Sequence, residues 1–268
     1  MKKTNISIVM AEYNTRAEDL DAAILSILNQ TFKDFELIIV DDCGVNDVSS
    51  FVEKYRDSRI VVIKNDKNVG FALSLNNGIM HAKGTYIARM DTDDISYPER
   101  IERIYSYIIN HQEYDVVGTS AVEFSGKEEY GTIGRPGEKD KNSIISGDII
   151  IHASAIMKKS CLEQIGLYKD YRRAQDYVLW CDLLLNGFRL YAVDEVLYRY
   201  RVNPVDYSKR NLKNRKYEIK ARLKYFPKLN ASIFDYRYII KLIIAGILPH
   251  KIVAIYRQRF VLNNKVHK

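Results

Sequence analysis

An α/β fold built on a mostly parallel sheet is what this sequence predicts, and three observations predict it. Runs rich in Val and Ile recur at intervals of roughly 30 residues, the period of βαβ units. Between them, apolar residues repeat at helical spacing. The Val/Ile runs are continuous rather than alternating, the pattern of strands covered on both faces.

The elements follow in order. Ile6-Ser7-Ile8-Val9-Met10 predicts the first strand, and Leu20, Ala23, Ile24, Ile27 and Leu28 mark the buried stripe of the first helix. Leu37-Ile38-Ile39-Val40 predicts the second strand, which runs into the turn-forming Asp41-Asp42-Cys43-Gly44. Ile60-Val61-Val62-Ile63 is the third, and Phe71, Leu75, Ile79 and Ala82 line one face of the helix after Asn68-Val69-Gly70. The fourth, Thr85-Tyr86-Ile87-Ala88-Arg89, ends at Met90-Asp91-Thr92-Asp93-Asp94. The next helix is expected to open with a capping box, Ser96 and Glu99 around Pro98, and to bury Ile101, Ile104 and Ile108. Gly131 to Gly137 reads as a flexible loop, and no compositional break marks a boundary before about residue 204.

Composition narrows the function classes. With 268 residues and 47% hydrophobic content the chain can build a real core, so disorder is excluded as a description of the whole. Cys43, Cys161 and Cys181 are far apart with no CxxC pair, which excludes a disulfide framework and a cysteine zinc site and suits a reduced, cytoplasmic chain. Only five strand-like residues follow Met1-Lys2-Lys3-Thr4-Asn5, too few for a signal-peptide apolar region, so export is not expected. The net charge of +7 is divided: residues 205–268 carry 16 Lys and Arg against 3 Asp and Glu, whereas residues 1–204 carry 25 against 31. Any polyanion is therefore expected to meet the C-terminal quarter.

In open sheets of this kind ligands bind at the carboxyl ends of the strands. Glu12-Tyr13-Asn14, Asp41-Asp42 and Asp91-Thr92-Asp93-Asp94 fall at three such ends. Carboxylates that close together resist ionising unless a cation neutralises them, and oxygen-only donors suit a hard divalent ion such as magnesium or manganese, with substrate phosphates filling its open positions. An acidic loop favouring the N-terminus of the next helix is the simpler reading of Asp91 and Asp93. There is no GxGxxG after a strand, no GxxxxGK[ST], no HExxH and no GxSxG, which removes the common dinucleotide, P-loop, zincin and serine-hydrolase chemistries.

Several ordered motifs now carry a resemblance: Ser7 to Asn14, Ser26-Ile27-Leu28-Asn29-Gln30-Thr31, Phe35 to Asp42, Asn68-Val69-Gly70, Asn76-Asn77-Gly78-Ile79 and Met90 to Asp94. Over roughly residues 5–204 the chain resembles the inverting glycosyltransferases of family 2, which have the GT-A fold. Ala174-Gln175-Asp176-Tyr177-Val178-Leu179-Trp180 is similar to the family's segment carrying the catalytic base, usually Glu-Asp where this chain has Gln175-Asp176. The resemblance implies a GT-A catalytic domain over 1–204, its nucleotide-sugar-binding part about 1–115 and its acceptor part about 116–204, followed by a basic amphipathic helical region, 205–268.

It also implies roles. Ala11, Tyr13, Asn14 and Asn68 would line the nucleotide pocket, with Asp41 or Asp42 on the base or ribose. Asp91 and Thr92 would face the ribose or sugar, and Asp93 would hold a divalent manganese or magnesium ion, with Asp91 or Asp94 as competing ligands. Asp176 would be the general base, and a UDP-sugar the favoured donor. Independently of the name, transfer from a nucleotide diphosphate needs the leaving charge neutralised and an acceptor hydroxyl deprotonated, and a carboxylate whose pKa burial has raised suits the second task.

Weaker candidates for the acceptor or diphosphate are His152, Gln175, Trp180 and Arg201, with Arg172, Arg173 and Arg199 nearby. A lone His beside apolar residues is as readily a core side chain, and the spacing of Tyr177, Trp180, Cys181 and Leu184 equally describes a packed helix. In the tail, Tyr238 to Leu248 is apolar but only 11 residues long and contains Lys241, too short for a bilayer, which needs about 20. Set among Lys224, Lys228, Arg237, Lys251, Arg257 and Arg259, it suits peripheral attachment to the anionic cytoplasmic face of the plasma membrane and a glycan acceptor that is itself lipid-linked. Packing against the catalytic domain or in a homodimer is the alternative. A sugar-nucleotide pyrophosphorylase is the runner-up among enzymes, though a glycine-rich start after the first strand is missing. A nucleic-acid binder using the tail comes third, and no nucleic-acid partner is expected of the acidic body.

Overall fold

The computed structural model describes residues 4–202 and 212–248. Its chain order is β1 (Ile6–Glu12), α1 (Ala17–Leu28), β2 (Phe35–Asp41), α2 (Val48–Val52), β3 (Ile60–Lys64), α3 (Phe71–His81), β4 (Tyr86–Arg89), β5 (Ile95–Ser96) and α4 (Arg100–Asn110). There follow β6 (Val116–Ser125), β7 (Glu128–Ile133), β8 (Gly137–Lys139), α5 (Lys141–Ser146), β9 (Ile156–Lys158), α6 (Lys159–Gln164), α7 (Gln175–Leu185), β10 (Leu190–Arg201), α8 (Leu212–Tyr225) and α9 (Arg237–Ile247).

The strands form one sheet in the order β3-β2-β1-β4-β9-β6-β10-β5, with β7 beside β6 and β8 beside β10. The first four are parallel, Ile8 standing opposite Leu37 on one side and Ala88 on the other. β9 runs antiparallel to both β4 and β6. Because the chain leaves β1 toward β2 and β3 and returns on its other side as β4, the carboxyl ends of β1 and β4 flank a topological switch point, where such sheets open a crevice.

Continuous Val and Ile runs make sense here because the sheet is covered on both faces. Ile8, Met10, Leu37 and Ile39 pack with Leu20 and Ile24 of α1 and Ile101, Ile104 and Ile108 of α4. Val9, Ile38, Val40 and Ile87 pack with α3 and with Val178 and Trp180 of α7. Gly78 is where α3 crosses closest: a Cβ there would stand 2.6 Å from Val9 and 3.0 Å from Val40.

Two expectations are corrected. Ser96 caps no helix; α4 starts at Arg100, whose Nε donates to the Ser96 Oγ at 2.7 Å and whose Nη1 donates to the carbonyls of Arg89 and Ala153. A fully buried guanidinium thus organises this turn, and burial lowers its pKa to about 10. Most of Gly131 to Gly137 is ordered structure, because β7 folds back on β6 and β8 pairs with β10.

The tail is tied to the body. Ala221, Tyr225 and Phe226 share the core that holds Trp180. The Tyr225 hydroxyl donates to Asp182 at 2.9 Å, and Arg222 donates to the carbonyl of Ile145 at 2.9 Å. The boundary expected at residue 204, and Lys251, Arg257 and Arg259 of the tail, lie outside the described residues.

Candidate active site

At the switch point lies a cavity of about 680 Å³ lined by Ala11, Tyr13, Asp42, Asn68, Asp91 and Thr92, among others. Local chemistry shapes it. Buried Glu12 turns the chain after β1 by accepting the Thr15 N–H at 3.1 Å and an Asn46 N–H at 2.6 Å. The Thr15 and Thr92 hydroxyls meet at 2.7 Å, joining the ends of β1 and β4. Asp42 accepts the N–H groups of Val69 at 2.8 Å and Gly70 at 2.9 Å, so a carboxylate orders the entry to α3. Gly44 is required by close approach, since a Cβ would stand 2.8 Å from the backbone nitrogen of Asn14. Tyr13 is 54% exposed, a flat ring available on the cavity wall.

Two candidates for this pocket are turned to other work. Asp41 is buried off the wall, accepting the Cys43 N–H at 3.0 Å with Lys64 3.9 Å away. Asn14, at φ 62°, accepts the Val45 N–H at 2.8 Å and shapes the loop rather than the wall.

The carboxylates after β4 separate into distinct environments. Asp91 faces the cavity and is ion-paired to buried Arg89. Burial and the charge of Asp91 push the Asp93 carboxyl up to about 6. Asp94 is buried, and its pKa stands well above the carboxylate range through burial and the charges of Asp91 and Asp93; one oxygen accepts the Arg201 N–H at 2.6 Å and the other has no hydrogen-bond partner. Arg201 acts as a clamp: its Nε donates to the Asp93 carbonyl at 2.6 Å, and its Nη2 stands 3.1 Å from Asp19. It positions the acidic turn and lines none of the cavities described here. Among the described residues no set of three or more His, Cys, Asp or Glu side chains is arranged to hold a metal ion.

A second cavity, about 410 Å³, shares Phe71 and Asp91 with the first and reaches Arg89, His152, Gln175 and Asp176. Asp176 lies in the first turn of α7, which Ala174 enters at φ 62°, and one of its oxygens accepts the Tyr177 N–H at 2.8 Å. Burial raises the Asp176 pKa, partly offset by that hydrogen bond. The His152 Nε2 is 2.6 Å from the Tyr168 hydroxyl, and burial, with the charge of Arg89, holds its pKa well below the usual value, so the ring is neutral at pH 7. Trp180 is fully buried with its ring edge-on to His152 at 5.8 Å. That corrects its candidacy for sugar stacking: it supports the histidine from inside the core.

Arg89 was missed by sequence reading, although a charged residue ending a buried strand beside an acidic run is a signal. It is 2% exposed, its guanidinium lies 4.7 Å from the centre of the Phe71 ring, and its Nε and Nη1 have no hydrogen-bond partner. Asp170 and Tyr171 also wall the first cavity, from a loop that has no periodic pattern to betray it, beside Arg172, which the sequence places near the site.

Comparison with known proteins bears directly on this geometry. The family model described as Glycosyl transferase family 2 matches residues 7–166. EpsE of Bacillus subtilis (strain 168), a protein named as a glycosyltransferase, is 31% identical over 272 residues, covering 97% of this chain and 95% of its own. The Escherichia coli UDP-Glc:alpha-D-GlcNAc-diphosphoundecaprenol beta-1,3-glucosyltransferase WfaP is 30% identical over 208 residues, covering 74% of this chain and 77% of its own. The solved structure of the mannosyltransferase PcManGT from Pyrobaculum calidifontis, in complex with GDP-Man and Mn2+, superposes with a TM-score of 0.67 at 17% identity, covering 97% of this chain and 81% of that one. The match over more than half the chain, the shared architecture and the carboxylate-lined switch point together establish that this protein belongs to glycosyl transferase family 2 and is a glycosyltransferase of the GT-A fold.

Proposed function

We propose that the protein is a metal-dependent, inverting glycosyltransferase that moves a sugar from a nucleotide diphosphate, a UDP-sugar by preference, to a hydroxyl of a lipid-linked glycan during synthesis of a bacterial surface polysaccharide. The observation that carries this reading is the junction of the two cavities at Phe71 and Asp91, with nucleotide-sized space on one side and Asp176 on the other. WfaP, with its UDP-Glc donor and diphosphoundecaprenol-linked acceptor, supports the choice of substrates.

In this reading Tyr13 stacks on the base, and Asn68 and Asp42 receive the nucleoside. Asp93, with Asp91 or Asp94, would hold a divalent cation. The donor type suits one, with hard oxygens only, a carboxyl that burial and the charge of Asp91 push up to about 6, and a buried Asp94 oxygen lacking a partner; of the three carboxylates only Asp91 lines the cavities, so the donor's phosphates would have to complete the shell. With one or two protein carboxylates, such an ion leaves positions for phosphate oxygens. When bound it would supply neutralisation of the departing diphosphate. The chain's own residues do the rest. Arg89 holds Asp91 in place, and Asp176 accepts the proton of the acceptor hydroxyl as that oxygen attacks the anomeric carbon from the face opposite the leaving diphosphate. Neutral His152 orients the acceptor as a hydrogen-bonding group and carries no charge into the site.

Attachment to the cytoplasmic face of an anionic membrane completes the proposal. No helix among the described residues is long and apolar enough to cross a membrane. The region around α9 nevertheless exposes Phe234, Ile240, Ile244 and Ile247 beside Arg237 and Lys241.

The test is calorimetric titration with UDP, GDP, CDP and dTDP, with manganese and then with chelator, on the wild type and Asp93→Asn. One nucleotide is expected to bind in the presence of metal and to lose at least tenfold in affinity on chelation or in the variant. Failure of all four to bind under either condition would overturn the reading.

A further inference from the structure

A third cavity, about 520 Å³, opens on the far side of Asp176. Its walls come from the 172–177 segment, from α8 and from Gly147 and Ile149, and it is rich in guanidinium groups: Arg172, Arg173, Arg215 and Arg222 against Asp176 and Glu218. Glu218 is already engaged, because Arg222 donates to its Oε1 from Nε at 3.2 Å and Nη2 at 3.1 Å. Arg222 is itself fixed, 5% exposed, bonded to the Ile145 carbonyl and stacked 4.7 Å from the Tyr177 ring centre. Arg172 and Arg173 are exposed and have no ion-pair partner among the described residues. A smaller adjoining cavity adds Lys213 and Lys216 to the same two arginines. Arg215, in the first turn of α8, is partly buried in the same wall.

We propose that this cavity binds a phosphate or diphosphate ester carried by the acceptor, placing the acceptor's anionic group on Arg173 and Arg215 while its hydroxyl reaches Asp176. Guanidinium forks match phosphate oxygens in pairs, which makes arginine the residue for recognising this group. The acceptor, rather than the donor, is assigned because the cavity shares Gln175 and Asp176 with the acceptor space and only Arg172 with the nucleotide cavity. It also gives the basic tail a role inside the site: α8, at the head of a region that is otherwise a candidate for membrane contact, supplies Asn214, Arg215, Glu218 and Arg222 to the anion's surroundings. This assignment rests on the glycosyltransferase reading above and names the class of its acceptor.

The experiment is arginine labelling by phenylglyoxal, mapped by mass spectrometry on the full chain. It is run with inorganic pyrophosphate, farnesyl diphosphate or glycerophosphoglycerol, each in the presence of the nucleoside diphosphate that saturates the first cavity. Pyrophosphate is expected to slow labelling of Arg173 and Arg215 at least fivefold, and Arg173→Gln, an exposed substitution, to weaken pyrophosphate binding at least tenfold with nucleotide affinity unchanged. Protection by farnesyl diphosphate but not by the diester assigns the group to a lipid-linked diphosphate; equal protection by the diester assigns it to a phosphodiester polymer. Absence of protection, or full protection by the nucleoside diphosphate alone, overturns the proposal. The glycosyltransferase reading fails separately, by the absence of any nucleotide binding.

Discussion

Arg89 and Asp91, two residues apart at the end of β4, form an ion pair where the two cavities meet: the partly open carboxylate lines both, and the buried guanidinium lines the second. The pair couples the end of a buried strand to the proposed reaction site: the backbone places Arg89 in the core, and Arg89 is paired to Asp91 at the cavity wall.

That arrangement sets an expectation for Arg89→Lys. Lysine keeps the charge but loses the planar fork and the stack on Phe71. Turnover of the donor should fall by roughly 10- to 100-fold, an effect of the size expected for a misplaced reacting group, while thermal denaturation shows a folded protein. Steady-state assays of donor consumption check this; wild-type turnover in the variant would mean that Asp91 is positioned without Arg89.

Asp176 should set the acid side of the activity profile. In the proposed reaction the carboxylate is the reacting form and burial raises its pKa, so kcat is expected to fall as pH drops through a value above that of an ordinary aspartate. Asp176→Asn should reduce kcat by roughly 10²- to 10⁴-fold with nucleotide affinity retained.

The same shift has a consequence for stability. A carboxylate whose folded-state pKa is raised opposes folding at pH values above that pKa, and the opposition vanishes as pH falls below the unfolded value. Asp176→Asn should therefore melt at or above the wild-type temperature at pH 7.5, with the difference closing toward pH 3. Calorimetric scans at the two pH values decide it, and a clear loss of Tm at pH 7.5 would contradict the assignment of burial as the cause.

Arg100 is the structural counterpart of Arg89. Replacing it by Met removes donors from Ser96 Oγ and from the carbonyls of Arg89 and Ala153, all in the interior. A cost of about 3 kcal/mol is expected, lowering Tm by roughly 6–12 °C. Circular dichroism melting measures it.

For the membrane, the double substitution Ile240→Ser and Ile244→Ser should leave the fold intact, since both side chains are more than half exposed. Flotation with phosphatidylglycerol vesicles should drop several-fold, and also fall at high salt. Unchanged flotation, or none by the wild type, would remove the membrane from the account.

Local chemistry made much of this protein legible in one dimension. Strands of unbroken Val and Ile imply a sheet covered on both faces, and acidic residues immediately after β1, β2 and β4 imply a polar crevice at their carboxyl ends, because those signals depend only on neighbours in sequence. Asp91, Asp42 and Asp176, which line the two cavities, are legible that way or through the motifs around them. Other features depend on which surfaces meet. Asp41 and Asp42 are adjacent and chemically identical, yet only the pleat and the entry to α3 decide that Asp42 faces the cavity and Asp41 the turn. Ser96 and Glu99 had the spacing of a capping box, but the buried guanidinium of Arg100 took the serine hydroxyl instead. Trp180 and His152 share a ring contact across 28 positions, and the guanidinium cavity beside Asp176 draws on α8, some 40 residues away. Sequence determined the elements and their edge chemistry; the tertiary structure alone decided which charges are buried, which are paired and which face a ligand, because burial and pairing are properties of packed surfaces rather than of neighbours along the chain.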